Sequence, residues 1–277
     1  MKKYPLQIIA WIIIGILMVF TLYPVVYALL GSLKTNAELQ LGNSILPKIL
    51  QWNNYYVAYI KSHFILYSEN SIILSITTMF LAVFTASLAG FVLARFDFPG
   101  KKVMLVSYSA LMFVSIGSVS LYPIIQLLHK INMDKSMLSL ILVLTGSQIT
   151  NVFLVMGFVK GVPKELDEAA CIDGCGIFRT FWQIDVPLIR PILAVVALFT
   201  FRNTWNDYIT TLIMTMSNDK LMTITVAVVQ LKYSVFAVAQ WHIMLAGASL
   251  AILPVTLLYI FTNKQFISGL TAGAVKG

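Results

Sequence analysis

Two stretches of this 277-residue sequence carry side chains that do more than fill an apolar interior. The first is Arg202, Asn203, Trp205, Asn206, Asp207 and Tyr208, set inside a region otherwise rich in aliphatic and aromatic residues. Amides, a carboxylate and a phenol beside flat rings suit a sugar, whose hydroxyls need hydrogen-bond partners and whose C–H face needs an apolar wall. The second reads K-G-V-P-K-E-L-D-E-A-A-C-I-D-G-C-G-I-F-R-T-F-W-Q-I-D-V-P-L-I-R, from Lys160 to Arg190. Pro163 can open a helix at its first turn. Glu165, Asp167 and Glu168 then crowd that turn, where acids complement the helix dipole. Ala169 and Ala170 are strong helix formers of little bulk, and Gly174 and Gly176 end the helix. A second short helix, from about Ile177 to Ile184, leads to Pro187. Such a helix is either a knob for a groove on a soluble partner or an ordinary loop helix on lipid headgroups.

Other candidates carry less. Gln148 and Asn151, three apart, either line the same path as the Arg202 cluster or hydrogen-bond one helix to another. Cys171 and Cys175, four apart, share a face if helical, but no histidine lies near to complete a metal site. His63, His129 and His242 have no metal spacing, so the sequence offers no catalytic or metal-ligating set.

The elements that must position these residues are long apolar runs. Ile8 to Leu30, Ser71 to Leu93, Val103 to about Leu128 and Ser136 to Val159 each exceed the ~20 residues that cross hydrocarbon as a helix. Pro191 to Met216, interrupted by Arg202 and Asp207, and Trp241 to Thr262 make six spans. Pro24 and Pro254 fall inside spans, where neighbouring helices tolerate a kink. The apolar segment Leu221 to Leu231 is too short to cross and reads as a surface or re-entrant helix. If the fifth span begins at Pro191, Arg202 lies roughly 16 Å and Asp207 roughly 24 Å along it. Arg202 and Asn206 then share a face, as do Asn203 and Asp207. A mid-span arginine costs about 2.5–3.5 kcal/mol on insertion scales, so Arg202 needs water, a polar partner or an anionic sugar. The cluster reads as the lining of an aqueous path, or as a polar contact with another membrane subunit.

Composition agrees with lipid as the solvent. The chain is 59% hydrophobic and 11% charged, against roughly 25% charged in soluble domains, and its mean hydropathy is +0.86. The net charge of +8 is therefore read as Lys and Arg in cytoplasmic loops and not as a nucleic-acid surface. With the N-terminus inside, eleven Lys/Arg fall on the cytoplasmic side and seven outside, a modest bias toward cytoplasmic termini. The start, Met1-Lys2-Lys3 and an apolar run, mimics a signal peptide but is too long for one and lacks a clear cleavage site. It reads as a retained first helix.

The Lys160–Arg190 segment resembles the cytoplasmic-loop signature of permeases in binding-protein-dependent ABC importers, E-A-A-x3-G-x9-I-x-L-P. Here it is Glu168-Ala169-Ala170, Gly174, Ile184 and Pro187, with Val186 where the family usually has Leu. The Ser71-to-Leu93 span, the turn Arg95-Phe96-Asp97-Phe98-Pro99-Gly100 and the end Gly269 to Gly277 look like the six-span maltose-permease branch. The resemblance covers essentially the whole chain. It implies an all-α polytopic membrane protein of the MetI-like permease fold, with a cytoplasmic coupling helix between spans four and five. Residues 1–66 would be a peripheral first helix and long outer loop, 67–262 the permease core and 263–277 a cytoplasmic tail. Glu168, Ala169, Ala170, Asp173 and Gly174 would contact an ATPase, with Ile184 and Pro187 completing the signature. The family uses a Trp-Asn segment near the sugar pathway, which supports Trp205, Asn206 and Asp207. Implied partners are a second, homologous permease, two ATPase subunits, an extracytoplasmic solute-binding protein, a carbohydrate and membrane lipid, in a bacterial or archaeal cell membrane. No G-x4-G-K-[ST] phosphate loop is present, so ATP and Mg belong to the ATPase and this chain has no cofactor of its own. The competing readings are an ATPase-independent secondary transporter or channel, an ABC permease for a non-sugar solute such as a glycerol phosphate, and a membrane enzyme, for which no residue cluster argues.

Overall fold

The computed structural model describes residues 4–42, 44–113, 117–134, 136–146, 148–232 and 239–274. Lys2, Lys3, Lys135, Lys276 and the last three residues of the C-terminal resemblance lie outside them. Every regular element among the described residues is helical: α1 (Tyr4–Gly31), α2 (Asn36–Leu41), α3 (Asn53–Lys61), α4 (Phe64–Arg95), α5 (Lys101–Phe113), α6 (Leu121–Lys130), α7 (Met137–Gly146), α8 (Ile149–Val159), α9 (Glu165–Ile172), α10 (Ile177–Thr180), α11 (Val186–Leu188), α12 (Arg190–Trp205), α13 (Ile209–Thr215), α14 (Ile224–Gln230) and α15 (Trp241–Ala274). A π-helical turn, Phe181–Asp185, joins α10 to α11.

Several expected spans are broken. Gln7–Gly31 and Phe64–Arg95 are continuous and apolar enough to cross a bilayer. The fourth span is α7 plus α8, bent by 51°, and Ile177–Leu188 meets α12 at 78°. The third divides into α5, a 3₁₀ turn at Gly117–Ser120 and α6. The fifth ends at Trp205 and restarts at Ile209, so Asn203 and Asp207 do not share a helical face as the sequence implied. The reason is local. The Asn206 backbone N–H and its side-chain Nδ2 both donate to the Arg202 carbonyl, at 3.1 and 2.9 Å. That double bond closes the last turn of α12 with a side chain.

The helices gather into two compact units, Met1–Ser68 with Ile224–Pro254, and Glu69–Thr223 with Val255–Gly277. In the first, side chains order the loop that follows α1. Thr35 forms a capping box with Glu38 at the start of α2. Asn54 donates to the carbonyls of Ser32 and Lys34 at 2.7 and 2.8 Å, and Lys34, 3% exposed, donates to the Ser44 carbonyl. Asn36 donates to the Ala239 carbonyl at 2.9 Å and accepts from the Trp241 N–H at 3.2 Å. The expected surface helix at Leu221–Leu231 is α14, with Ile224, Val226, Ala227 and Val228 buried.

The second unit is organised on α4. Its buried stripe holds small residues, among them Ser71, Ser75, Thr78, Ala82, Ala86 and Gly90, while Ile72, Ile76, Phe80 and Phe84 face outward. Large apolar residues outside and small ones inside is the pattern lipid demands, because close backbone packing takes over where no hydrophobic drive exists between helices. At Gly90 the approach of α8 is closest. A β-carbon there would lie 2.8 Å from Val155 Cβ and 2.9 Å from the Met156 backbone nitrogen. Ala86, Phe91, Val155, Val159, Phe181, Ile189 and Val196 then close one core around that crossing. Gly90→Ala is accordingly expected to destabilise the fold by about 1–3 kcal/mol, seen as a lower thermal midpoint in detergent. Gly146→Ala, with open space at its Cβ, should stay within about 0.5 kcal/mol of the parent.

Candidate functional site

The segment from Lys160 to Arg190, which we read as lying outside the spans, folds as a short exposed helix held at both ends. The helix α9 starts at Glu165, two residues after Pro163, and Lys164 occupies its N-cap without a side-chain cap bond. Glu165, Asp167 and Glu168 therefore answer the free N-terminal amides by charge alone. Its C-terminus is a Schellman turn. The Cys175 N–H donates to the Ala170 carbonyl at 2.9 Å and the Gly174 N–H to the Cys171 carbonyl at 3.0 Å, with Gly174 at φ +78°. That turn parts the cysteines: Cys171 stays on α9 and Cys175 lies beyond it, so they do not share one helical face. Of the signature residues, Glu168, Ala169, Asp173 and Gly174 are exposed, Ala170 is buried, and Ile184 and Pro187 are half-buried. Around them stand exposed Ile172, Ile177, Phe178 and Trp182, an apolar collar on a polar loop.

The second short helix runs further than expected, to Leu188, because it widens into the π turn. There the Val186 N–H donates to the Phe181 carbonyl, five residues back, and the Ile189 N–H reaches Asp185 at 2.9 Å. Proline has no N–H and its ring collides with the carbonyl four residues back. The wider turn accommodates Pro187 without ending the helix.

The sequence reading missed what ties this loop down. Arg95, the last residue of α4, places its Nε 2.7 Å from Asp167 and its Nη2 3.4 Å from Asp185, and Nη1 donates to the Val162 carbonyl at 3.0 Å. The side chains of Arg95 and Asp185 are 5% and 0% exposed. Burial pushes the Asp185 carboxyl up to about 6, Asp167 adds to that rise, and Arg95 opposes it. One carboxylate oxygen on each aspartate, Asp167 Oδ1 and Asp185 Oδ2, is buried without a hydrogen-bond partner. A charged residue ending an apolar helix and an acid isolated in W-Q-I-D-V-P were visible signals, but no spacing rule joins residues this far apart. Beside the network lies a cavity of about 250 Å³ lined by Phe91, Arg95, Lys164, Glu168, Cys171 and Cys175 among others.

The polar residues of the fifth span do not come together as one cluster. Arg202, Asn203 and Asn206 are exposed, and Tyr208 is half-buried. Trp205 is 2% exposed and stacks on Phe201, with ring centroids 5.8 Å apart. Asn151 donates to Gln148 and to the Thr200 hydroxyl of α12, the latter at 3.0 Å, a hydrogen bond from α8 to α12. Asp207 lines a cavity of about 630 Å³ with Ser118, Ser120, Leu121, Ile124, Leu142 and Thr210. This volume falls within the range of small-molecule sites. Asp207 Oδ1 accepts from the Thr211 N–H and hydroxyl at 2.8 and 2.9 Å, which starts α13 and fixes the carboxylate at the wall. Among the described residues no group of three or more His, Cys, Asp or Glu is arranged to hold a metal.

Residues 71–270 match the family described as "Binding-protein-dependent transport system inner membrane component". A permease protein of an arabinooligosaccharide transport system from Bacillus subtilis is 32% identical over 92% of this chain and 91% of its own length. A maltodextrin transport system permease protein from the same organism is 34% identical over 76% and 74% of the two chains. A chain of a bacterial ABC transporter involved in import of the acidic polysaccharide alginate superposes with a TM-score of 0.81 at 17% identity, over 96% of this chain and 99% of that one.

The Schellman turn makes a backbone-only test possible, because a β-carbon on Gly174 meets no atom within 4 Å. Gly174→Val should cost about 1–2 kcal/mol through its positive φ. It should also speed proteolytic cleavage between α9 and α10. Gly174→Asn, a residue that tolerates left-handed backbone, should cleave at close to the parent rate.

Proposed function

The chain belongs to the family of binding-protein-dependent transport system inner membrane components, a membrane transport subunit and not an enzyme, and from that premise we propose that it imports an oligosaccharide. Its path is half of a pore shared with a second permease, and two copies of a cytoplasmic ATPase drive it. Both termini are cytoplasmic and the chain crosses six times. The observation that carries the coupling assignment is α9 itself: an exposed helix bearing Glu168, Ala169 and Asp173, rimmed by exposed Ile172, Ile177 and Phe178, and stopped by the left-handed Gly174. Large apolar residues left exposed together beside charged ones mark a protein contact. The ATPase takes this helix in a cleft, and closure of its nucleotide sites pulls on the loop. A solute-binding protein delivers the sugar from the outer side.

The cavity lined by Asp207 is the proposed sugar contact within this subunit. Ser118, Ser120 and Thr210 offer hydroxyls, Leu121, Ile124 and Leu142 an apolar wall, and Asp207 Oδ2 is the acceptor left over from the α13 cap. The relatives named above belong to arabinooligosaccharide and maltodextrin transport systems, so the proposed cargo is an oligosaccharide.

Two substitutions test the two halves of this reading in the assembled complex. Glu168→Lys reverses charge on the exposed helix, and less than a tenth of the parent's ATPase should co-purify with the permease. Undiminished attachment would remove α9 from the coupling role. Asp207→Asn should keep the ATPase bound yet lower uptake of mixed arabino-, malto- and galacto-oligosaccharides at least tenfold in proteoliposomes, read by mass spectrometry. Unchanged uptake would move the sugar contact elsewhere.

A further inference from the structure

We propose that Arg95 is the positioning residue that carries movement of α9 into α4, by trading its guanidinium between Asp167 and Asp185. The inference rests on α9 being the ATPase-contacting helix. Chain connectivity hands a displacement of α9 only to α8, before it, and through α10, the π turn and α11 to α12, after it. The helix α4 is far from α9 in sequence. Among the described residues its charged link to the loop is Arg95, which touches three separate points: the Val162 carbonyl ahead of α9, Asp167 on its first turn and Asp185 at the end of the π turn.

The geometry is that of an exchange and not of a finished ion pair. One guanidinium serves two carboxylates: its Nε lies 2.7 Å from Asp167 without making a hydrogen bond there, and its Nη2 donates to Asp185 at 3.4 Å. Each aspartate keeps one buried oxygen without a hydrogen bond. A planar fork satisfies one carboxylate fully when it binds it with two parallel bonds, so the arrangement has two better-satisfied neighbours, one with Arg95 wholly on Asp167 and one with it wholly on Asp185. Asp167 rides on the exposed helix and is 23% exposed, whereas Asp185 is enclosed. A pull that draws α9 away weakens the first contact and favours the second, and α4 follows its own terminal residue. The adjoining cavity of about 250 Å³, lined by Arg95, Asp167 and Lys164, gives the side chain room to swing.

Gly90 and Arg95 stand near each other on α4. The tight α4–α8 crossing at Gly90 is a pivot roughly 7 Å along the helix from Arg95, at 1.5 Å per residue. Force applied at Arg95 acts across a short arm on the rest of α4.

The test uses the complete complex, both permeases with ATPase in proteoliposomes and the solute-binding protein outside, with the mixed oligosaccharide pool as cargo. Breaking a buried ion pair at one partner leaves an uncompensated charge, whereas replacing both by apolar residues is often tolerated. The first variant is therefore Arg95→Met with Asp167→Asn and Asp185→Leu, and the second is Arg95→Lys, which keeps the charge but cannot fork. Both should assemble, retain ATPase and hydrolyse ATP, while oligosaccharide moved per ATP falls at least tenfold in the triple variant and about threefold in Arg95→Lys. An unchanged ratio in either variant overturns the proposal, as does loss of ATPase attachment in step with transport in Arg95→Lys, which marks a merely structural tie. Glu168→Lys separates the two readings. If it leaves the ATPase attached, the α9 assignment has failed. If it releases the ATPase while the Arg95 variants transport at the parent ratio, only the Arg95 link has failed.

Discussion

A peptide group in hydrocarbon has no water to bond, so any break in a spanning helix must supply its own partners. That constraint decides where this chain can bend and what residues stand there. The bend after Trp205 is closed by Asn206 on the Arg202 carbonyl and reopened as a helix by Asp207 on the Thr211 N–H. At Pro187 the π turn gives the helix a wider ring. Two of the polar residues that first draw the eye in the sequence, Asn206 and Asp207, are thus spent on the backbone. Asp207 both seals a helix start and lines a cavity.

The same economy of polar groups gives the exposed loop its stiffness. Its helix is only Glu165–Ile172, too short to hold its shape on propensity alone. Charge at one end and a left-handed glycine at the other define it, and the buried Arg95 network fixes where it sits. Each of these contacts resists unwinding, which the proposed coupling role would require of this helix. The core beneath, with Phe91, Phe181 and Ile189 packed together, backs the loop with aromatic and aliphatic bulk where the small-residue stripe of α4 ends.

Hydropathy made the helical class and the long spans legible, because eighteen or more apolar residues in a row have few other fates. The signature Glu168-Ala169-Ala170…Gly174 located the exposed helix, since capping chemistry is local and written in adjacent residues. What stayed hidden was whatever depends on neighbours in space. The straight fifth span assumed from Pro191 to Met216 breaks because Asn206 turns onto its own helix. Trp205, read from the sequence as a flat surface beside polar donors, is buried and stacks on Phe201. Arg95 entered the sequence reading as a loop charge and as part of a family-like turn, although it meets two acids that lie far along the chain.

The π turn has a consequence for how the chain can change in length. A helix of 3.6 residues per turn rotates about 100° for each residue, and Phe181–Asp185 carries one residue more per turn than its flanks. A turn of that kind takes up one extra residue and hands the chain on facing as before. Deleting a single residue within it would let the helix relax to regular geometry while Pro187 and the 78° corner into α12 keep close to their bearings. A deletion within Ile177–Thr180 has no such slack and would turn Asp185 and Pro187 by about 100°. Tolerance to a change of length in this loop is therefore confined to the π turn.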